Sequence, residues 1–129
     1  MGITRYPAWV CGQLFEPGAP SFDVADEGLL LGLSVFDSLL WDRGCVLFFE
    51  EHMQRFEDGI GHLGIQWPLP WEPRAAVDEL LAELQRRFGY QLPGALMLRL
   101  TATRGVPGHG ASLAVTVREC EALPDGGVT

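Results

Sequence analysis

The chain has 129 residues, which suits a single domain able to bury roughly two-thirds of its unfolded surface. Apolar residues make up 47% and charged residues 20%, so the composition excludes a disordered polyelectrolyte. Seventeen acidic against nine basic residues give net charge −8, which argues against nucleic acid and anionic membrane surfaces, since both require clustered cations.

Residues 8–16 (AWVCGQLFE) read as a short hairpin bent at Gly12, and Pro17, Gly18 and Pro20 then break the chain. The apolar stretch 29–49 carries Asp42-Arg43-Gly44 near its middle. This pattern predicts two strands, Val35 to Trp41 and Cys45 to Phe49, joined by that turn. A helix over 29–41 competes, because a short apolar run does not separate the two. The run from Gly28 to Phe36 is far too short to span a bilayer.

Residues 50–63 predict a helix, with Met53, Phe56, Ile60 and Leu63 on one stripe. Glu50 and Glu51 suit its first turn, and Gly64 suits its end. The stiff segment WPLPWEP (67–73) follows. Val77, Leu80, Leu81, Leu84 and Phe88 then have the spacing of an amphipathic helix that starts at Pro73 and stops at Gly89. Alternation in 95–104 and 113–118 predicts two half-buried strands. In the first, Leu96, Leu98, Leu100 and Ala102 share one face, and Arg99, Thr101 and Thr103 the other. The glycine-rich loop 105–110 joins the two strands. Strands at both ends with two helices between them give an α+β domain with a mainly antiparallel sheet over residues 1–121, and residues 122–129 are expected to be a flexible tail or the start of a linker.

All nine basic residues are arginine, so the chain contains no lysine, and any lysine-dependent chemistry needs an amine from elsewhere. Cys11, Cys45 and Cys120 lack metal or redox spacing and read as buried free thiols in a reducing compartment. No secretory signal pattern opens the chain, which makes the cytoplasm the expected location. The loop GVPGHG (105–110) is rejected as a dinucleotide fingerprint, because a strand follows it where that motif requires a helix. His52 and His62 are ten residues apart on one helix, too far for one ion, so no metal site is expected. His52 and Arg55 share a helix face at the edge of the buried stripe. Spacing alone favours a solvated flank there, although a guanidinium at a cleft edge suits a phosphate. Arg104, Gly105 and His109 fall at a strand end and its loop, where either a plain surface turn or a ligand contact fits.

Taken in order, Asp26-Glu27-Gly28, Gly32 to Asp37, Arg43-Gly44 and the His52 to Phe56 segment (H-x-x-R-F) resemble the class IV aminotransferases, the fold-type-IV pyridoxal-phosphate enzymes. Trp9 to Gly12 and LRLTATRG (98–105) extend the likeness to nearly the whole chain. That family includes branched-chain and D-amino-acid aminotransferases and 4-amino-4-deoxychorismate lyases, typically homodimers whose cofactor lies between an N-terminal α+β domain and a larger C-terminal domain. The resemblance implies that this chain is the N-terminal domain and that Arg55 binds the phosphate of pyridoxal 5′-phosphate. It also implies that Phe36, Arg104 and His109 face an amino-acid or chorismate-like substrate, in part across a dimer interface. It places the Schiff-base lysine in the C-terminal domain, so no catalytic residue is assigned within these residues, and a C-terminal domain or partner chain is expected to complete the enzyme. Two positions depart from the pattern. Asp37 follows Phe36 where the family has glutamate, read as a minor change in reach, and His109 stands where an arginine is common. The competing expectation is a stand-alone binding or assembly domain derived from the family, whose would-be docking face should then be polar.

Overall fold

The computed structural model describes residues 5–120. Within them the chain forms strands β1 (Ala8–Val10), β2 (Gln13–Phe15), β3 (Ser34–Asp42), β4 (Cys45–Val46), β5 (Ala95–Thr103) and β6 (Ser112–Glu119), with helices α1 (Glu27–Leu31), α2 (Phe49–His62) and α3 (Pro73–Phe88). The six strands make one antiparallel sheet in the order β2-β1-β6-β5-β3-β4, which is the expected α+β architecture. Both short hairpins turn on two residues with positive φ, Cys11-Gly12 and Arg43-Gly44, a backbone whose twist matches that of the flanking strands.

The alternating residues of the sheet dictate where the core lies. β5 places Leu96, Leu98, Leu100 and Ala102 on one face at 0% exposure, opposite Val35 to Trp41 of β3 and Leu113 to Val117 of β6. Helices α2 and α3 cover that face with Phe56, Ile60, Val77, Leu80 and Leu84. Each such side chain contributes about 1.5–3 kcal/mol by leaving water. Trp9 of β1 joins the same core, and its indole N–H donates to Glu79 of α3. The Glu72 side chain caps α3 by accepting from the Ala75 N–H at 2.6 Å, with Pro73 at the tolerated first-turn position.

Several expectations change. The second strand of the 35–49 hairpin is only Cys45–Val46, because Phe48 takes a left-handed backbone (φ 54°) that turns the chain into α2 at Phe49. The Phe49 ring is buried beneath the Arg74 guanidinium, 4.3 Å from its centroid. Helix α1 makes a third helix that the periodicity does not announce. Asp26 caps it, Gly32 ends it with a left-handed residue, and none of its residues is buried. Thr103, expected on a half-exposed face, is buried because α1 lies across it at Gly28. None of the cysteines is buried. Cys11 and Cys120 are half-buried and Cys45 is exposed, since two of the three sit at hairpin turns. Residues 122–129, the expected tail, lie outside the described residues.

Helix α2 meets β3 closely at Gly59, where an added Cβ would sit 2.8 Å from the Val35 Cγ1. Gly59→Ala is expected to destabilise the fold by about 1–3 kcal/mol through overpacking. In a Val35→Ala background the same change is expected to stabilise by up to about 1 kcal/mol, because the intrinsic helix preference for alanine is then unopposed. Chemical denaturation of the four-member cycle measures both, and the same sign in both backgrounds rules out the steric account.

Candidate functional site

Strand alternation forces one carboxylate into the wrong environment. Asp37 stands between Val35 and Leu39 on the helix-covered face, opposite Leu100, and is only 6% exposed. A buried charge there is tolerated only with partners. Helix α2 supplies two, at positions i and i+3. The Arg55 guanidinium donates from Nε to Asp37 Oδ2 and from Nη2 to Asp37 Oδ1, both at 2.9 Å. His52 Nδ1 lies 2.9 Å from Asp37 Oδ1. The same nitrogen is 2.9 Å from Arg55 Nη2, so one tautomer donates from Nδ1 to the carboxylate and the other accepts at Nδ1 from the guanidinium. Both of these contacts are made by Nδ1, which leaves Nε2 outside the cluster.

Burial pushes the Asp37 carboxyl up, but hydrogen bonds from Arg55 and His52 and the charge of Arg55 outweigh it and hold the group below the usual carboxylate range. Asp37 in turn raises Arg55. The Arg55 side chain is nevertheless 69% exposed. It is a cation fixed from behind, with its remaining Nη1 donors directed away from Asp37. Spacing predicts a solvated flank for this pair, and Arg55 is indeed exposed; the structure adds Asp37 to make a three-residue cluster, the member that sequence reasoning missed as a partner.

Phe36, one residue earlier, points to the opposite sheet face. Its ring is 56% exposed and is covered by the Arg99 guanidinium at 3.8 Å from the centroid. Phe36 and Arg55 therefore lie on opposite sides of β3.

Arg104 directly follows β5 and begins a loop that is clasped to α1. The buried Asp26 carboxylate accepts from the Gly28 N–H and from Ser112 Oγ, each at 2.8 Å, and the Glu27 N–H donates to the Gly105 carbonyl at 3.0 Å. Gly105 has φ 77°, and a Cβ there would come within 1.8 Å of the Gly110 carbonyl oxygen, so the loop closes only over glycine. Arg104 Nε donates to Glu27 Oε1 at 3.0 Å on the rim of a cleft of about 360 Å³ between this loop and the proline-rich connector. His109 is exposed at the loop tip, where its N–H closes a turn onto the Val106 carbonyl at 2.9 Å. Arg55 does not line the Arg104 cleft. The expected site residues thus fall in three places on one copy of the chain. Glu27 is a second residue that sequence reasoning passed over as a partner, and only its place beside the D-x-G turn could have suggested it.

Among the described residues, no group of three or more His, Cys, Asp or Glu side chains could hold a metal, and no helix is long and apolar enough to cross a membrane. Residues 34–126 match the family described as amino-transferase class IV. The fold is similar to the fold IV transaminase CpuTA1 of Curtobacterium pusillum, at 30% identity and TM-score 0.75, over 85% of this chain and 38% of that one. It is also similar to a hypothetical aminotransferase of Mycobacterium tuberculosis in its PLP-bound form, at 22% identity and TM-score 0.73, over 93% and 40% of the two chains. A third likeness is to the branched-chain aminotransferase of Thermoproteus uzoniensis with norvaline, at 20% identity and TM-score 0.67, over 90% and 41%. The chain thus spans about two-fifths of the length of these solved proteins. No curated protein matches it.

Because Asp37 is held below its ordinary pKa, its contribution to stability is present above that ordinary value and is lost as pH falls through the depressed one. Wild-type chain is expected to exceed Asp37→Asn in stability by a constant margin down to about pH 5, and the margin should shrink below about pH 4. Urea midpoints across this range measure it. A margin that does not change with pH would sever Asp37 from the cluster's electrostatics.

Proposed function

This chain belongs to the class IV aminotransferase family, and from that premise we propose that it is the N-terminal part of a pyridoxal 5′-phosphate enzyme, an aminotransferase or an aminodeoxychorismate-lyase-like relative. The observation that carries the reading is the Asp37–His52–Arg55 cluster. It holds one guanidinium rigid and outward, which is what recognition of a phosphate dianion needs. The fit is partial by design. Asp37 cancels much of the Arg55 charge, so further phosphate donors belong to the completing domain. When bound, the cofactor supplies an electron sink for bonds at the substrate α-carbon. This chain's share is to fix the phosphate through Arg55, to offer His52 Nε2 beside it, and to present Arg104, His109 and Phe36 to an amino-acid or chorismate-like substrate.

The sequence has no lysine. The amine that carries the cofactor therefore comes from a C-terminal domain or partner chain, and without it these residues have no transamination chemistry. Arg55 and Arg104 lie apart in one copy, which favours a homo-oligomer in which two copies share a site. A cytoplasmic location suits this reading.

The alternative is a stand-alone domain for binding or assembly, and it requires a polar docking face. Val24, Leu29, Leu30 and Leu31 are instead 61–75% exposed on and beside α1, with Phe22 at 42%. Phe22 and Leu29 also line a small apolar hollow over Thr101 and Thr103. Such a run marks an unfilled interface and favours the incomplete-enzyme reading.

Native mass spectrometry of the chain purified with its natural partner, with and without pyridoxal phosphate, tests the reading. The expected result is a lysine-containing polypeptide that carries the cofactor. In that assembly Arg55→Ala should weaken cofactor affinity by about tenfold or more. A lone species without cofactor, or unchanged affinity in the variant, would overturn the assignment.

A further inference from the structure

Strand β3 is nine residues long, but only its end is flanked on both sides. Toward β5 it is paired from Ser34 to Asp42, whereas β4 pairs with Trp41 and Asp42 alone. Beyond β4 the Leu47 N–H reaches the Leu40 carbonyl at 2.9 Å, and Phe48 then turns the chain away into α2. The outer edge of β3 from Ser34 to Leu39, about 20 Å of strand, therefore has no neighbouring strand among the described residues.

The register fixes where the backbone groups of this edge point. Successive residues of a strand aim their N–H and C=O groups to alternate sides. The Arg43 N–H donates to the Gly94 carbonyl at 2.9 Å, which sets the odd-numbered residues toward β5. The Leu40 carbonyl accepts from Leu47, which sets the even-numbered ones outward. Ser34, Phe36 and Ser38 thus present their backbone N–H and C=O groups at an edge where no strand among the described residues meets them.

Natural sheets blunt such an edge with proline, lysine, a bulge or a very short strand. The opposite edge of this sheet follows that rule: β2 has three residues, and Pro17 comes two residues after it. The segment SVFDSL (34–39) has none of these devices, and its register with β5 is unbroken. Its one charge, Asp37, is held beneath α2 by Arg55 and His52 rather than set against an incoming strand. The Phe36 ring flanks the edge at 56% exposure, and the exposed Leu31 of α1 precedes it by only three residues. Uncovered hydrocarbon therefore adjoins uncovered backbone. This chain also spans about two-fifths of the solved proteins it resembles, so the polypeptide that completes it is long enough to supply a strand.

We propose that the outer edge of β3, from Ser34 to Leu39, receives an extended segment of the completing polypeptide as a further strand of the sheet. Main-chain hydrogen bonds to Phe36 and Ser38 supply the affinity, and the alternating side chains supply the selectivity. An apolar side chain fits against Phe36. An uncharged one fits opposite Asp37, because like charges directly opposite one another repel. Such a strand sets the completing polypeptide beside Arg55, where the phosphate reading calls for further donors. The proposal rests on the reading of this chain as part of a larger pyridoxal 5′-phosphate enzyme.

The test is amide hydrogen exchange, residue by residue, on the 129-residue chain alone and on its complex with the lysine-containing partner found by native mass spectrometry. In the chain alone, the Asp37 and Leu39 amides should exchange slowly and those of Phe36 and Ser38 fast. In the complex, Phe36 and Ser38 should slow by about a hundredfold or more. Ser38→Pro removes an outward N–H and spares the β5 ladder, a position at which a strand tolerates proline. It should leave Asp37 and Leu39 slow in the free chain and weaken the complex by about tenfold or more, whereas Ser38→Thr keeps the N–H and the affinity. Wild-type exchange decides the matter even where the proline variant does not fold. Slow exchange at Phe36 and Ser38 in the free monomer means that the chain fills its own edge, and slowing that follows chain concentration means that a second copy does. Either result overturns the proposal. A cofactor-loaded complex in which the two amides stay fast, or in which folded Ser38→Pro binds normally, also overturns it and leaves the enzyme reading intact. Absence of any lysine-containing partner removes that reading and the strand together.

Discussion

The pairing of β3 with β5 is the constraint on which the rest depends. Nine residues of each strand run antiparallel in unbroken register from Ser34↔Thr103 to Asp42↔Ala95. The side-chain period of a strand is two, so this register decides every face at once. It commits Val35, Leu39 and Trp41 to the helix-covered core together with Leu96, Leu98, Leu100 and Ala102. It commits Asp37 to the same face, and it sends Phe36 to the other. A slip of one residue would expose the leucines and release Asp37 into water. The stability of the sheet and the placement of the one buried carboxylate on β3 therefore share a single cause.

A carboxylate committed to that position explains why α2 carries what it does. Glycine at 59 lets the helix approach β3, and Arg55 and His52 then lie within reach of Asp37 one and two turns back along the helix. Removing either partner from a buried ion costs more than the pair contributes, so the cluster is better understood as a device for holding a guanidinium in place than as a source of stability. The long polar side chain of Arg55 would otherwise sample many rotamers. Two hydrogen bonds to a fixed carboxylate restrict it before any ligand arrives.

Local patterns carried most of the fold. The 3.6-residue spacing of Val77, Leu80, Leu84 and the alternation of β5 and β6 gave the elements and their buried faces. The turn chemistry of Arg43-Gly44 gave the hairpin. What stayed hidden depends on contacts distant in sequence. Thr103 alternates with Leu100 and Ala102 as if half-exposed, and only α1 lying across it, 75 residues earlier in the chain, buries it. Helix α1 itself is five residues long and has no apolar face turned inward, so no period could reveal it. Phe48 turns the chain into α2 two residues after β4 ends, through a left-handed backbone that nothing in FFEE signals. Asp37 was legible as a departure from the family pattern, but its meaning emerged only when the register put it beside Leu100 and facing α2.

Arg55 and Arg104 are each met by a carboxylate, and the two pairs differ in what they leave over. The buried Asp37 takes the Nε edge and one Nη of Arg55, whereas the half-buried Glu27 takes only the Nε edge of Arg104. Arg55 does not line the Arg104 cleft, and Phe36 lies on the sheet face away from α2, the face that α1 crosses at Thr103. Within a single copy the two arginine–carboxylate pairs therefore do not share a pocket. The leucines of α1 point the same way from the apolar side. Residues with that much exposed hydrocarbon gain nothing from solvent, and burying Leu29, Leu30 and Leu31 would contribute about 1.5–3 kcal/mol each. The face that lacks a cover lies on the helix clasped to the Arg104 loop. A cover over α1 would thus be set against the element that holds Glu27 and, through it, Arg104.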